Sequence, residues 1–223
     1  MLLIHHLENS RSHRVLWLLE ELSLDYEIKF YKRDPKTDLA MDDLKAIHPL
    51  GKSPVITDGK LVLAETAAIL QYIVERYGKG KLSAALGSPE QIKQNYWLHA
   101  AEGSFMPYLV TDLLTSRIAS KSPFITRPIA KAIATEVDKK FTHPNLYRFI
   151  KYMEAELSKN TWFAGDEFSI ADIQMGYPVE AAFARLELND DYPNLKDYLF
   201  AIRNRPAYQA AIEKGGKLSI LAD

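Results

Sequence analysis

Residues 53–65 read SPVITDGKLVLAE, two apolar runs of strand length that meet at Asp58-Gly59. An Asp-Gly pair supplies the positive φ angles that a two-residue hairpin turn demands, so the segment predicts an antiparallel hairpin. What precedes it limits the sheet that the hairpin can join. LLIHHL (2–7) reads as a short strand, and YEIKFYK (26–32) alternates and is rich in strand formers. Between them, SHRVLWLLEEL (12–22) sets Val15, Leu16, Leu18, Leu19 and Leu22 at helical spacing. Strand, helix and strand in so short a span imply a parallel pair with a right-handed crossover. DLAMDDLKAI (38–47) reads as a further, weak helix, and TAAILQYIVERYG (66–78) as a helix ended by Gly78.

The predicted order is therefore βαβαββα, a mixed sheet of thioredoxin-like pattern. After Gly80 the periodicity changes. KGKLSAALGSPEQ (79–91) has the Gly, Ser and Pro content of a linker, and everything beyond it reads helical. PEQIKQNYWLHAAEGSFMPYLVTDLLTSR (89–117) predicts one long helix that starts at Pro89 and kinks at Pro107. A second covers 124–159, loosened around His143-Pro144, and a third covers 169–187, opened by the S-x-x-D capping box of Ser169 and Asp172. The expected organisation is an α/β domain over 1–80, a linker over 81–88 and an all-helical domain over 89–223.

Charge and residue usage exclude several functions. Lys and Arg number 28 against 29 Asp and Glu, a net charge of −1, which argues against nucleic acid or an anionic membrane as partner. No run approaches the ~18 apolar residues of a spanning helix. The N-terminal MLLIHHLE lacks the basic region and long apolar core of a secretory signal, so a cytoplasmic location is expected. There is no cysteine, which removes disulfide scaffolds, thiolate-bound zinc and a cysteine nucleophile. Thiol chemistry here must use a thiol that a ligand brings. The six histidines show no HExxH or comparable spacing, so no metal is expected. His5 and His6, adjacent on a strand, point to opposite faces.

Four separated segments fit this domain order: NSRSHRV (9–15), HPLGKSPVI (48–56), LAETAAIL (63–70) and WFAGDEFSIADI (162–173). In this sequence order, and across essentially the whole chain, they resemble a cytosolic glutathione transferase of the serine-using type, bacterial or fungal in character. The resemblance implies glutathione as co-substrate, a homodimer and a role in detoxification. Glu65 would pair the ligand amine, and Thr66, at a helix N-terminus suited to anions, would meet the γ-glutamyl carboxylate. Pro54 matches the family's cis proline. With Ser53 it would leave the Val55 backbone free for the cysteinyl unit, while Lys52 reaches the glycyl carboxylate. His48 stands where the family often has Asn and is given no role. Taken alone, Thr66 reads equally as a helix cap and Lys52 as a solvated loop lysine.

Ser10, four residues before Arg14, matches the family's thiol-activating serine. Asn9 is a second candidate donor, and Ser12 is better placed as the helix cap. A tyrosine-using site is excluded because no tyrosine precedes Tyr26. Leu7, Phe105, Tyr108, Leu109 and Leu113 are the apolar residues expected to line an electrophile pocket between the domains. Glu102, on the long helix at the expected dimer interface, would reach the partner's glutathione. The leading function is conjugation of the glutathione thiolate to an apolar electrophile. Glutathione-dependent disulfide or peroxide reduction on the same site, and a non-catalytic binding or scaffold module, are the alternatives.

Overall fold

The computed structural model describes residues 1–37, 40, 42–186, 188, 190–216 and 218. Four strands, β1 (Leu2–Leu7), β2 (Tyr26–Tyr31), β3 (Val55–Asp58) and β4 (Leu61–Ala64), form one sheet in the order β2-β1-β3-β4. β1 runs parallel to β2 and antiparallel to β3, which pairs antiparallel with β4 across the Asp58-Gly59 turn. Helix α1 (His13–Glu21) makes the crossover and α2 (Thr66–Tyr77) follows the hairpin. The helix expected over 38–47 is a correction: its described part holds a single 3-10 turn, Asp42–Leu44, and residues 38, 39 and 41 lie outside the described residues. Of that turn only Leu44 is buried, packed with Leu7 and Tyr31, too small an apolar face to hold a longer helix in place.

Beyond Ser88 the described chain is helical, as expected, but each long helix is interrupted in the same way. α3 (Pro89–Ala100) passes through a π-helical turn, Ala101–Phe105, into α4 (Met106–Lys121). α5 (Arg127–Val137) passes through a π turn, Asp138–Thr142, into α6 (His143–Leu157). In both cases a proline, Pro107 or Pro144, stands two residues after the π turn. A proline cannot donate to the preceding turn and its ring crowds the carbonyl four residues back, so the helix widens there. α7 (Ile170–Leu186), α8 (Pro193–Arg203) and α9 (Pro206–Gly215) complete the fold.

The capping box forms at α7: the Asp172 carboxylate accepts from the main chain of Ser169 and Phe163, each at 2.9 Å. Behind α4, the ligand atoms of Asp112, Asp138 and His143 lie within 4.8 Å of one another. They are already engaged: Arg185 donates to Asp112 at 2.6 Å, Thr115 donates to Asp138 at 2.8 Å, and His143 lies 3.1 Å from Asp112. The cluster ties α4, α6 and α7 together.

One apolar core runs from the sheet into the helices, through Ile4, Leu16, Trp17, Trp97, Phe163 and Ile173. α1 lies inside it, with every residue from His13 to Leu19 buried. Gly215 of α9 approaches so closely that a Cβ there would stand 2.6 Å from the His13 ring and 2.7 Å from Leu16. Neither ring nitrogen of His13 has a hydrogen-bond partner of good geometry. Burial, with neighbouring His6 adding to it and the Ala211 main chain opposing, pulls this imidazole down to about 4.

An unfolded histidine titrates near 6.5, so between those values the unfolded chain binds a proton that the fold refuses. Stability supplied by neutral His13 is complete above pH 6.5 and is lost as the pH falls toward about 4. Melting temperatures across this window are expected to fall, and to fall less steeply in His13→Leu.

Candidate active site

The chain crosses from β1 to α1 through residues 8–12, with Asn9 at φ +50°. Ser10 and Ser12 are both buried. Ser12 occupies the N-cap position, but its hydroxyl makes no bond to a helix N–H. It lies 2.9 Å from His6 Nδ1 and 2.8 Å from the Ser10 hydroxyl. His6 Nε2 stands 2.9 Å from the Gly215 carbonyl, which can only accept. That contact fixes the direction of the chain. His6 donates through Nε2 and accepts from Ser12 at Nδ1, and Ser12 accepts from Ser10. Burial lowers the His6 pKa and so keeps the ring neutral, as this order requires. His5, on the opposite face as expected, bonds Tyr31 and Thr57 at 2.8 Å each. The Ser10 hydroxyl also lies 3.5 Å from that of Ser53, so Ser12, Ser53 and any ligand compete for one proton.

Ser10 opens onto a cleft of about 490 Å³, with Leu7, Asn9, Lys52, Ser53 and Tyr177 on its walls. A second recess of about 140 Å³ adjoins it and shares Arg11, Leu50, Lys52 and Ser53. Here Pro54, Glu65, Thr66 and Glu102 converge with His48. The Ser53–Pro54 peptide is cis. Val55 is fully buried, pairs with His5 of β1 on one edge and Ala64 of β4 on the other, and lines neither the cleft nor the recess. Glu65 precedes α2 at φ 72°, ψ 120°, a conformation that costs of order 1–3 kcal/mol and clusters at functional sites.

The π turn supplies Glu102, expected from the sequence to reach the partner's glutathione; in the structure it lines the recess of its own chain, where its carboxylate meets Arg14 at 2.6 Å and Arg11 at 3.3 Å. Arg14 is buried, donates to the Gln174 carbonyl at 3.0 Å and to the Thr66 hydroxyl at 3.4 Å, and lies 5.6 Å from the Tyr177 ring centre. Burial lowers its pKa, while Glu102 acts in the opposite direction. Because Thr66 accepts from Arg14, its own proton is aimed elsewhere. Arg11, Arg33, Lys45 and Lys52 line the larger cleft, and in the smaller recess the carboxylates Glu65 and Glu102 join Arg11 and Lys52, a mixture that complements a ligand carrying carboxylates and an amine.

The apolar wall differs from the expectation. Of Leu7, Phe105, Tyr108, Leu109 and Leu113, Leu7 alone lines the cleft. Phe105 is fully buried and stacks on Phe149 at 4.9 Å, and Leu109 is core. Tyr108 packs edge-on against Phe141 at 5.5 Å, and Leu113 is half-buried on α4. The widened π turn rotates α4 relative to α3, so spacing counted along one regular helix assigns these side chains to the wrong face. Tyr177 of α7 takes the wall instead. Sequence reasoning missed it, together with Arg11 and the structural part of Arg14. A polar residue amid the apolar run of α1 was the available signal for Arg14.

A cis-proline loop and a helix N-terminus in one recess, and a buried hydroxyl in the cleft that adjoins it, beside a helical domain, form a polar site whose charges suit a small zwitterionic ligand. The family models for the N-terminal and C-terminal domains of glutathione S-transferase match residues 1–75 and 117–206. Glutathione S-transferase 3 of Schizosaccharomyces pombe is 34% identical over 96% of this chain and 88% of its own length. Glutathione S-transferase 1 of Saccharomyces cerevisiae is 34% identical over 96% and 95%. Among solved structures, a glutathione S-transferase from Actinobacillus pleuropneumoniae covers 100% of this chain and 97% of its own, at 33% identity and a TM-score of 0.78. A sphingomonad glutathione S-transferase, solved complexed with glutathione, covers 96% and 98% at 25% identity and a TM-score of 0.72. The chain belongs to the glutathione S-transferase family and is a glutathione transferase.

Proposed function

We propose that this enzyme conjugates the thiolate of glutathione to an apolar electrophile, with Ser10 as the donor that stabilises the sulfur anion. The observation that carries the reading is the convergence of Lys52, Ser53, Glu65, Thr66 and Glu102 on one recess that adjoins Ser10. In this reading residues 1–80 hold glutathione. Glu65 takes the amine, the α2 N-terminus and Thr66 take the γ-glutamyl carboxylate, Lys52 takes the glycyl carboxylate, and the main chain at the cis Ser53–Pro54 peptide, where Val55 begins β3, takes the cysteinyl unit. The helical domain, 89–223, supplies Glu102 and the electrophile wall at Tyr177. Asn9 stands beside the sulfur as a second donor. The enzyme acts in the cytoplasm, in detoxification, as a two-fold homodimer paired through the exposed Ile92 and Tyr96 of α3.

Thr66→Ala tests the binding assignment. Loss of a hydrogen bond to a charged group costs ~1.5–3 kcal/mol, about tenfold or more in affinity. Loss of a helix cap costs only ~1 kcal/mol of stability. Calorimetric titration with glutathione is expected to show the weaker binding. Unchanged affinity with a lowered melting temperature would make Thr66 a cap and remove it from the site.

A further inference from the structure

The near-neutral charge of the chain hides a strongly polarised end. Between Asp112 and Glu136 the sequence has four basic residues, Arg117, Lys121, Arg127 and Lys131, and no acidic one. All four are exposed. This stretch is the hairpin of α4 and α5, and its apolar residues face solvent. Ile125, Ile129, Ile133, Val137 and Phe141 recur every fourth residue from the turn through α5 into the π turn that follows it, and Val110, Leu114 and Ile118 do the same on α4. All eight are exposed, and exposure is greatest at the turn itself, 86% at Phe124 and 88% at Ile125.

We propose that this hairpin tip is a docking site for an anionic lipid surface, with Phe124 and Ile125 inserted at the interface and the four cations set against the headgroups. Large apolar side chains beside Lys and Arg on an amphipathic hairpin are the composition of an interfacial anchor, and the long basic side chains can reach outward while their stems stay in the apolar layer. The turn is held by several hydrogen bonds of its own. Thr126 N and Arg127 N donate to the Pro123 carbonyl at 3.0 and 2.9 Å. The Ser122 hydroxyl donates to Ile118 O at 2.6 Å, and Arg127 Nε to Ser122 O at 3.1 Å.

A second copy of the chain is the weaker occupant. A two-fold contact of tip on tip would set four cations against four, and the two most exposed residues lie on a protruding turn rather than in a groove. The tip also stands about 22 Å along α4 from its first residue, at 1.5 Å per residue, far from the glutathione recess.

The test is sedimentation of the full chain with phosphatidylcholine vesicles, with and without phosphatidylserine. Binding is expected to the mixed vesicles only and to weaken with salt. The double variant Phe124→Ser/Ile125→Ser should abolish it, and Lys121→Ala/Arg127→Ala should lower it about thirtyfold, each with unchanged glutathione-conjugating activity. Absence of wild-type binding to the mixed vesicles at low salt, or full binding by the serine variant, overturns the proposal. A serine variant that changes the sedimentation coefficient of the free protein, and not its vesicle binding, assigns the tip to a second copy and overturns it equally.

Discussion

Glu102→Ala is expected to destabilise the protein by about 3 kcal/mol, the lower end of what it costs to leave a buried charge without its partner. In a chain of this size that is roughly 6–12 °C in melting temperature. Arg14→Met, which breaks the same contact, is expected to cost less. The asymmetry follows from where the two charges sit. Arg14 is 2% exposed, and Glu102, at 2.6 Å, is its only anionic partner among the described residues. Without that carboxylate the guanidinium keeps only the Gln174 carbonyl and the Thr66 hydroxyl, and its Nε is already unpartnered. Glu102 is 30% exposed and has Arg11 at 3.3 Å, so the loss of Arg14 leaves a solvated, still paired carboxylate. The double variant should resemble Arg14→Met rather than the sum of the singles. Urea unfolding of the four proteins measures all of this. Equal losses from the two single variants would mean that Arg14 does not depend on Glu102.

The difference between legible and illegible features runs along local versus tertiary interactions. The Asp58-Gly59 hairpin, the Gly78 helix end and the Ser169–Asp172 box are each decided by a few adjacent residues, and each stands where the sequence places it. The weak helix over 38–47 failed because Leu44 is the only buried side chain among the described residues there, and nothing local reports how little core is available beneath it. Pro107 and Pro144 announced disturbed helices. Their effect, a π turn upstream of each, moves Phe105 and Leu109 into the core and aims Glu102 at Arg11 and Arg14. That rotation cannot be counted from spacing. Ser12 marks the same limit: its position is that of a cap, but His6, buried on the neighbouring strand, takes its proton.

That proton arrangement determines what the serines should do when exchanged. Ser10→Ala is expected to lower the conjugation rate by up to about 10²–10³, by analogy with the loss of one oxyanion donor, and to leave glutathione affinity nearly unchanged. The carboxylate contacts and the positive end of α1 remain in that variant, while the donor nearest the sulfur is gone. Ser12→Ala acts differently. It leaves His6 Nδ1 without its donor and Ser10 without its acceptor, inside the protein, at a cost of ~1–3 kcal/mol in stability, more than a simple cap would give. It also releases the Ser10 proton, which the 2.8 Å contact otherwise directs toward Ser12, so the bound thiol should ionise no less readily. Titration of the bound thiolate by its ultraviolet absorbance distinguishes the two. A rise in apparent thiol pKa in Ser10→Ala alone supports Ser10 as the donor to sulfur. A rise in Ser12→Ala alone would give that role to Ser12, working through its neighbour. If neither variant moves the titration, the anion is held by Asn9 or by the main-chain N–H groups at the start of α1, and both hydroxyls serve the buried hydrogen-bond chain that ends at Gly215.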